Sequence, residues 1–419
     1  MNYRIFHPED IIEARATMPL SKSMAARLII INALTPGKPT LPDLPQCDDT
    51  RVLAEAVNAT SGTIDIDGAG TAMRFLTALY ASRPEVMGIT LTGNGRMLKR
   101  PIGPLVDALR TLGADITYLG EEGFPPISIN GRELDGGEIN VDATISSQFI
   151  SALLMAAPTM KRRLTVNFNG EPVSAPYINM TIGMMSAHGI NAERYGYSVT
   201  VEPGRYHQAS QPVEGDWSAA AFWYETAALS SGFISLDGLT HPSLQGDSRV
   251  ADIFATLGVD TVYEGEEGGI DLVPSPESSP RLVMDMGPWP DLVPPVVVTC
   301  VTLGIPFHIT GIGSLRIKEC DRLQALADEL GKIGAEIEVT ADALVWERKM
   351  HPVGELPRFD PHGDHRMAMA LAPMAIFVPG IVVCDAEVVD KSYPGYWEQL
   401  QAAGFTLDNG DEPYNPEGE

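Results

Sequence analysis

An amphipathic stretch, a glycine and a short β-branched run follow one another repeatedly along this chain. The pattern reads LVDALRTLGADITY around Gly113, IGMMSAHGINAERY around Gly189 and VADIFATLGVDTVY around Gly258. It returns as LADELGKIGAEIEV around Gly334 and YWEQLQAAGFTL around Gly404, with a weaker copy, RVLAEAVNATSGTIDI, around Gly62. The amphipathic part predicts a helix, the glycine its stop with φ > 0, and the β-branched run a strand.

A second series interleaves with the first. Its members are strongly apolar with a polar start: SKSMAARLIIINAL from Ser21, TAMRFLTALYA from Thr71, SSQFISALLMAA from Ser146, DWSAAAFWYETAAL from Asp216, PDLVPPVVVTCV from Pro290 and DHRMAMALAPMAIF from Asp364. A helix apolar on every side is a buried helix. Pro294 and Pro295 fit the fifth only if they fall in its first turn. Both series recur at roughly 70 to 75 residues, with the first interval shorter by roughly 20. This predicts a strand pair missing between Asn58 and Gly68. Six α/β units predict two domains of three, each packing three buried helices inside a shell of sheets. Their polar starts would offer backbone N–H groups and positive dipole ends to anions.

The chain has 419 residues, 44% of them hydrophobic, enough for two or three domains. Met1 to Lys22 carries Glu9, Asp10 and Glu13 and no apolar signal core, and the apolar run Val293 to Ile309 is too interrupted to span a bilayer. Cys47, Cys300, Cys320 and Cys384 stand far apart, which fits a reducing compartment and a cytoplasmic location. The formal net charge of −26 argues against nucleic acid and anionic membranes. It leaves small anionic substrates open, because the Lys and Arg residues recur inside short Gly/Ser-rich motifs. The acidic end from Asn409 to Glu419 reads as disordered.

Those motifs are Ser21-Lys22-Ser23 with Arg27, Gly68-Ala69-Gly70-Thr71 with Arg74, and Gly93-Asn94-Gly95-Arg96 with Lys99-Arg100-Pro101. Ser146-Ser147-Gln148 follows, with Ser174 and Tyr177, then Arg316-x-Lys318-Glu319-x-Asp321-Arg322 and Asp364-His365-Arg366. Taken singly, each also fits a capped helix or a solvated basic loop. No P-loop is present, and His362, His365 and Asp360 lack a third histidine or an H-E-x-x-H pattern, so neither a nucleotide nor a metal is expected.

Taken together, the motifs resemble the 5-enolpyruvylshikimate-3-phosphate (EPSP) synthase family. The residues that carry the resemblance are S-K-S with Arg27, A-G-T-A-M-R from Ala69, R-x-x-x-R-P-I-G from Arg96, S-S-Q-F from Ser146 and V-S-x-P-Y-I from Val173. V-E-G-D from Val213, L-Q-G-D from Leu244, R-x-K-E-x-D-R from Arg316, D-H-R-M-A-M from Asp364 and K-x-x-P from Lys391 complete them. The family fold is α/β (α+β), two pseudo-symmetric domains of three βαβαββ units each with buried parallel helices. The chain crosses twice, so 1–19 and 215–419 would form a discontinuous C-terminal-type domain. The N-terminal-type domain would be 20–214, with a shortened first repeat.

The implied reaction moves the enolpyruvyl group of phosphoenolpyruvate to the 5-hydroxyl of shikimate 3-phosphate, releasing phosphate through a tetrahedral ketal, with no cofactor and no metal. By resemblance Lys22, Asp291, Glu319 and Lys391 are catalytic. Asp291 would take the 5-hydroxyl proton, and Glu319 and Lys22 would shuttle protons at C3 and the bridging oxygens. Lys22, Ser23, Arg27, Ser146, Ser147, Gln148, Ser174, Tyr177, Asp291, Ser314 and Lys318 would hold shikimate 3-phosphate. Lys22, Gly70, Arg100, Gln148, Arg322, His365, Arg366 and Lys391 would hold phosphoenolpyruvate. Domain closure would assemble both halves and exclude water. A monomer is expected. The chain departs from the family pattern at Leu20, Gly68 and Ser314, and at Phe75, where many members have Pro; Phe75 is expected to alter the response to glyphosate, the family inhibitor. The sister enzyme acting on UDP-N-acetylglucosamine is the nearest rival, but it carries a loop cysteine where Gly93 to Lys99 has none, and Asn where this chain has Ser23. A non-catalytic binding paralogue is the rival from another class.

Overall fold

The computed structural model describes residues 1–7, 11–37, 39–144, 146–170, 172–263 and 268–412. The chain divides into two compact units, Met1–Leu20 with Glu214–Glu419 (unit 1) and Ser21–Val213 (unit 2). Two strands, β1 (Tyr3–Phe6) and β2 (Glu13–Thr17), precede unit 2.

Unit 2 opens with two helices, α1 (Lys22–Leu34) and α2 (Asp48–Ala56). A full β-α-β-α-β-β run follows: β3 (Gly62–Asp65), α3 (Gly70–Ala81), β4 (Ile89–Thr92), α4 (Gly103–Thr111), β5 (Asp115–Tyr118) and β6 (Ile127–Asn130). A second consists of β7 (Gly137–Asp142), α5 (Ser147–Ala156), β8 (Leu164–Asn169), α6 (Ala175–Ala187), β9 (Ala192–Tyr195) and β10 (Ser198–Val201). Unit 1 resumes with α7 (Trp217–Ser230), β11 (Phe233–Asp237), α8 (Val250–Ala255), β12 (Leu257–Tyr263) and β13 (Gly269–Ser278). Next come β14 (Leu282–Asp285), α9 (Val293–Thr302), β15 (Phe307–Thr310), α10 (Arg322–Gly331), β16 (Glu338–Val339) and β17 (Leu344–Trp346). The last run is β18 (Arg358–Phe359), α11 (His365–Leu371), β19 (Ile381–Val383), α12 (Tyr396–Ala402) and β20 (Thr406–Asn409).

Among the described residues five four-stranded sheets result, with strand orders β3-β4-β6-β5, β7-β8-β10-β9, β12-β13-β11-β2, β14-β15-β17-β16 and β18-β19-β1-β20. Each has one parallel edge pair, such as β3 with β4 or β2 with β11, and two antiparallel pairings after it. In the β2 sheet and the β1 sheet the N-terminal strands supply what the local sequence lacks. The first unit shows α1 and α2 but no strand among the described residues between them, and β3 already belongs to the next sheet. The shortfall that the repeat spacing places between Asn58 and Gly68 is thus the sheet of the first unit.

The glycines of the periodic pattern, at 113, 189, 258, 334 and 404, all stand at φ between +83 and +98. That is the turn geometry a Cβ resists, and it carries the chain from helix to strand. The apolar helices are buried: every residue of α3 except Thr71 is enclosed, and α9 is buried from Val293 to Val301. In unit 2, α3 packs on α5 and α1 touches both; in unit 1, α7, α9 and α11 touch one another. Pro294 and Pro295 sit in the first turn of α9, where a missing N–H breaks no helical bond.

The C-terminal end differs from the sequence expectation. Asn409 closes β20 opposite Tyr3, Asn2 Nδ2 donates to Asp411 Oδ1 at 2.6 Å, and Arg4 Nη2 donates to the Glu412 carbonyl at 3.1 Å. The polar edge of β1 gives this acidic stretch its partners, and 413–419 lie outside the described residues. No helix among the described residues is long and apolar enough to cross a membrane.

Candidate active site

In unit 2 the candidate residues cluster at helix starts. Ser21 caps α1, its Oγ accepting from Met24 N at 3.4 Å. Lys22 is then the first helical residue, and its Nζ meets Asp49 Oδ2 at 3.0 Å, with both side chains largely out of water. Arg27, one turn on, is 2% exposed. Its Nε donates to Thr181 Oγ1 at 2.7 Å and its Nη1 to the Ser23 carbonyl at 2.8 Å. Its Nη2 donates to Ser151 Oγ at 3.3 Å and to the Tyr177 carbonyl at 3.2 Å. Burial brings this guanidinium down to about 10, against a smaller upward pull from Tyr177, so it is still charged at neutral pH. No carboxylate pairs with it among the described residues. A buried cation without an acid is a place for an anionic ligand.

Ser146 caps α5, accepting from Gln148 N at 3.2 Å, and Ser147 is buried behind it. Gln148 Nε2 donates to Thr71 Oγ1 at 3.0 Å, which joins the starts of α5 and α3. Ser174 precedes α6 at φ +55, a left-handed backbone, and makes no side-chain cap. Gly70 opens α3. A Cβ there would stand 2.6 Å from Arg100 Nη1 and 2.8 Å from Arg74 Nη1, so two guanidiniums lie over the helix start only because residue 70 has no side chain. Arg74 Nη1 also donates to the Gly70 carbonyl at 2.9 Å.

In unit 1 the centre is Arg322, 1% exposed at the start of α10. Asp364 grips it with two oxygens, Nε to Oδ2 at 2.7 Å and Nη2 to Oδ1 at 3.2 Å. Asp364 Oδ1 also caps α11 by accepting from Arg366 N at 3.0 Å. Arg322 Nη1 reaches Asp291 Oδ1 at 3.0 Å, and its Nη2 reaches Glu319 Oε2 at 3.1 Å. The far oxygens of those carboxylates face further cations: Asp291 Oδ2 meets Arg366 Nη2 at 3.0 Å, and Glu319 Oε1 lies 3.5 Å from Lys391 Nζ. Burial alone would lower the Arg322 guanidinium, but Asp364, Glu319 and Asp291 outweigh it and hold it above the ordinary arginine range. His365, 1% exposed, has Nδ1 3.8 Å from Asp364 Oδ1. Cys320 lies 3.7 Å from the same carboxylate, and burial pushes its thiol up, away from nucleophilic thiolate. Ser314 lies in the 3-10 turn Gly313–Ile317 with its Oγ buried and no hydrogen-bond partner among the described residues. Lys318 follows that turn. His362 pairs with Glu329 at 2.9 Å and takes no part in the cluster.

A family model described as EPSP synthase (3-phosphoshikimate 1-carboxyvinyltransferase) matches residues 58–400. The chain belongs to the EPSP synthase family. A 3-phosphoshikimate 1-carboxyvinyltransferase of Bacteroides fragilis is 46% identical over 98% of this chain and 100% of its own length. One from Methanoculleus marisnigri is 37% identical, over 94% and 97%. An EPSP synthase structure from Acinetobacter baumannii superposes with a TM-score of 0.77 over 97% of this chain and all of that one; at 21% identity it speaks for the fold.

Against the EPSP synthase resemblance drawn from sequence, the geometry adds side chains that motif reading passed over. Asp49 reads in sequence as an ordinary acid in the first turn of α2, where it complements the helix dipole, yet it holds Lys22. Ser151 and Thr181 read as small polar residues inside apolar helices, yet both face Arg27. Asp364 belongs to a quoted motif, but nothing in its spacing tells of a fork onto Arg322, 42 residues away.

Proposed function

We propose that this chain is an enzyme that transfers the enolpyruvyl group of phosphoenolpyruvate to the 5-hydroxyl of shikimate 3-phosphate. The 5-hydroxyl oxygen bonds to C2 while C3 gains a proton; the ketal then loses a C3 proton and expels phosphate. In this reading Asp291 takes the hydroxyl proton, and Glu319 and Lys22 handle the C3 and bridging-oxygen protons. Lys22, Gly70, Arg100, Gln148, Arg322, His365, Arg366 and Lys391 hold phosphoenolpyruvate. Ser23, Arg27, Ser146, Ser147, Ser174, Tyr177, Ser314 and Lys318 hold shikimate 3-phosphate, together with Lys22, Gln148 and Asp291. Units 1 and 2 serve as the C-terminal-type and N-terminal-type domains, and the protein acts as a cytoplasmic monomer.

The observation that carries this reading is the arrangement around Arg322. Asp291 and Glu319, the proposed bases, each lie between that guanidinium and a second cation. The cations gathered here suit the phosphate and carboxylate charge that develops in the reaction. Ser23 and the absence of a cysteine from Gly93 to Lys99 favour this acceptor over UDP-N-acetylglucosamine.

The test is phosphate release from phosphoenolpyruvate with and without shikimate 3-phosphate, beside Asp291→Ala and with UDP-N-acetylglucosamine as a second acceptor. Release that requires shikimate 3-phosphate and falls at least about a hundredfold in the variant is expected. No release with either acceptor, from a protein that nonetheless binds both substrates, leaves a binding paralogue.

A further inference from the structure

Arg27 is held by hydrogen bonds, and its guanidinium carbon lies over two aromatic rings. A guanidinium has five N–H donors. Thr181, Ser151 and the carbonyls of Ser23 and Tyr177 take four of them, which leaves one N–H on Nη1 among the described residues. Phe75, in α3 and 1% exposed, places its ring centroid 5.5 Å from the guanidinium carbon. The Tyr177 ring lies 5.9 Å from the same carbon. The hydrogen bonds fix where the guanidinium sits, and the rings beneath its carbon add attraction that holds it there.

An aromatic face carries partial negative charge, and its attraction for a cation grows when water is excluded. Here water is excluded, and no acid compensates Arg27 among the described residues. An aliphatic side chain at 75 would fill the same space without offering that face. A guanidinium, being weakly hydrated, also suits such a contact better than an ammonium would.

We propose that Phe75 is a positioning residue for shikimate 3-phosphate: its ring holds Arg27 so that the remaining Nη1 N–H is presented to an anionic oxygen of that substrate. This rests on the assignment of Arg27 to the shikimate 3-phosphate subsite. The ring acts through Arg27 alone, so the effect falls on one substrate and not the other.

The test replaces Phe75 with mono-, tri- and pentafluorinated phenylalanine, which drain the ring face while nearly keeping its shape. Phe75→Leu removes the face altogether. Steady-state kinetics are measured against each substrate, with calorimetric binding of shikimate 3-phosphate and thermal denaturation alongside. KM for shikimate 3-phosphate should climb with fluorination, to roughly tenfold at the end of the series and in Phe75→Leu. KM for phosphoenolpyruvate, kcat and, in the fluorinated series, the melting midpoint should stay near the unmodified values. A flat series, with Phe75→Leu raising both KM values as it lowers the melting midpoint, makes Phe75 a packing residue and overturns the proposal alone. Unmodified protein that neither turns over nor binds shikimate 3-phosphate overturns the functional reading and this proposal with it.

Discussion

Replacing Asp49 with Asn removes one charge and almost no volume. In the native protein that carboxylate holds Lys22 Nζ at 3.0 Å, with 14% of the lysine side chain and 9% of the aspartate exposed. A charge-assisted hydrogen bond so far from water contributes on the order of 1.5–3 kcal/mol. If Lys22 moves protons and binds substrate oxygens, a lysine released from Asp49 samples geometries that do neither. The expected loss in kcat/KM is about ten- to a hundredfold. The assay is phosphate release at saturating shikimate 3-phosphate for wild type, Asp49→Asn, Lys22→Met and the double variant, each checked by thermal denaturation. Because Asp49 is taken to act through Lys22, the double variant should be no slower than Lys22→Met. Two independent losses that multiply in the double variant would refute the coupling, as would an Asp49→Asn enzyme as fast as wild type.

Gly70→Ala should leave the fold intact, since Ala suits a helix better than Gly by about 1 kcal/mol, but its methyl would collide with Arg100 and Arg74. KM for phosphoenolpyruvate should rise roughly tenfold with KM for shikimate 3-phosphate unmoved, and a change in the second alone would count against the placement of Arg100. Glu225 lies 0% exposed in α7, with neither carboxyl oxygen hydrogen-bonded among the described residues, and burial raises its pKa well above 4.5. A raised carboxyl favours folding fully below the unfolded value and loses that contribution as pH climbs through the folded one. Glu225→Gln should therefore melt at a higher temperature than wild type at pH 8, and the gap should narrow toward pH 4.5; a gap independent of pH would mean that the carboxyl does not titrate this way. Cys320→Ala should turn over within about twofold of wild type, and the native thiol should resist alkylation, because burial keeps it protonated. Rapid inactivation by iodoacetamide, relieved in the variant, would contradict this.

The fold was legible where one residue enforces one geometry. A glycine that ends each amphipathic helix at positive φ announces itself in sequence, and so do helices apolar on all faces, down to the prolines of α9. The strands that pair far from their neighbours were not legible in the pattern. Nothing in YRIF or EARAT tells which sheet receives them, because β1 and β2 find partners near the other end of the chain or beyond the whole of unit 2. In the candidate site, cations in motifs could be read from spacing, since Lys22 and Arg27 belong to one helix start. Their counter-residues could not. Asp49, Ser151 and Thr181 are ordinary residues whose part in the site comes from packing between α1, α2, α5 and α6.

The insertion of unit 2 between Leu20 and Glu214 has a consequence for the order in which the protein is made. β2 emerges early but pairs with β11, and Arg15 meets Asp237 across 222 residues. β1 waits longer, for β19 and β20. At about 5–20 residues per second, its edge stays open to solvent and to other nascent chains for roughly 20 to 80 s. Unit 2, by contrast, has all its strands before unit 1 has a single complete sheet. Since Tyr3 and Asn409 are cross-strand neighbours, a gene permuted to begin at Glu214, run through β20 and continue into Met1–Leu20 would encode unit 1 as an uninterrupted chain. Such a permutant would let β1 and β2 be born next to their sheets and should shorten the aggregation-prone interval during synthesis.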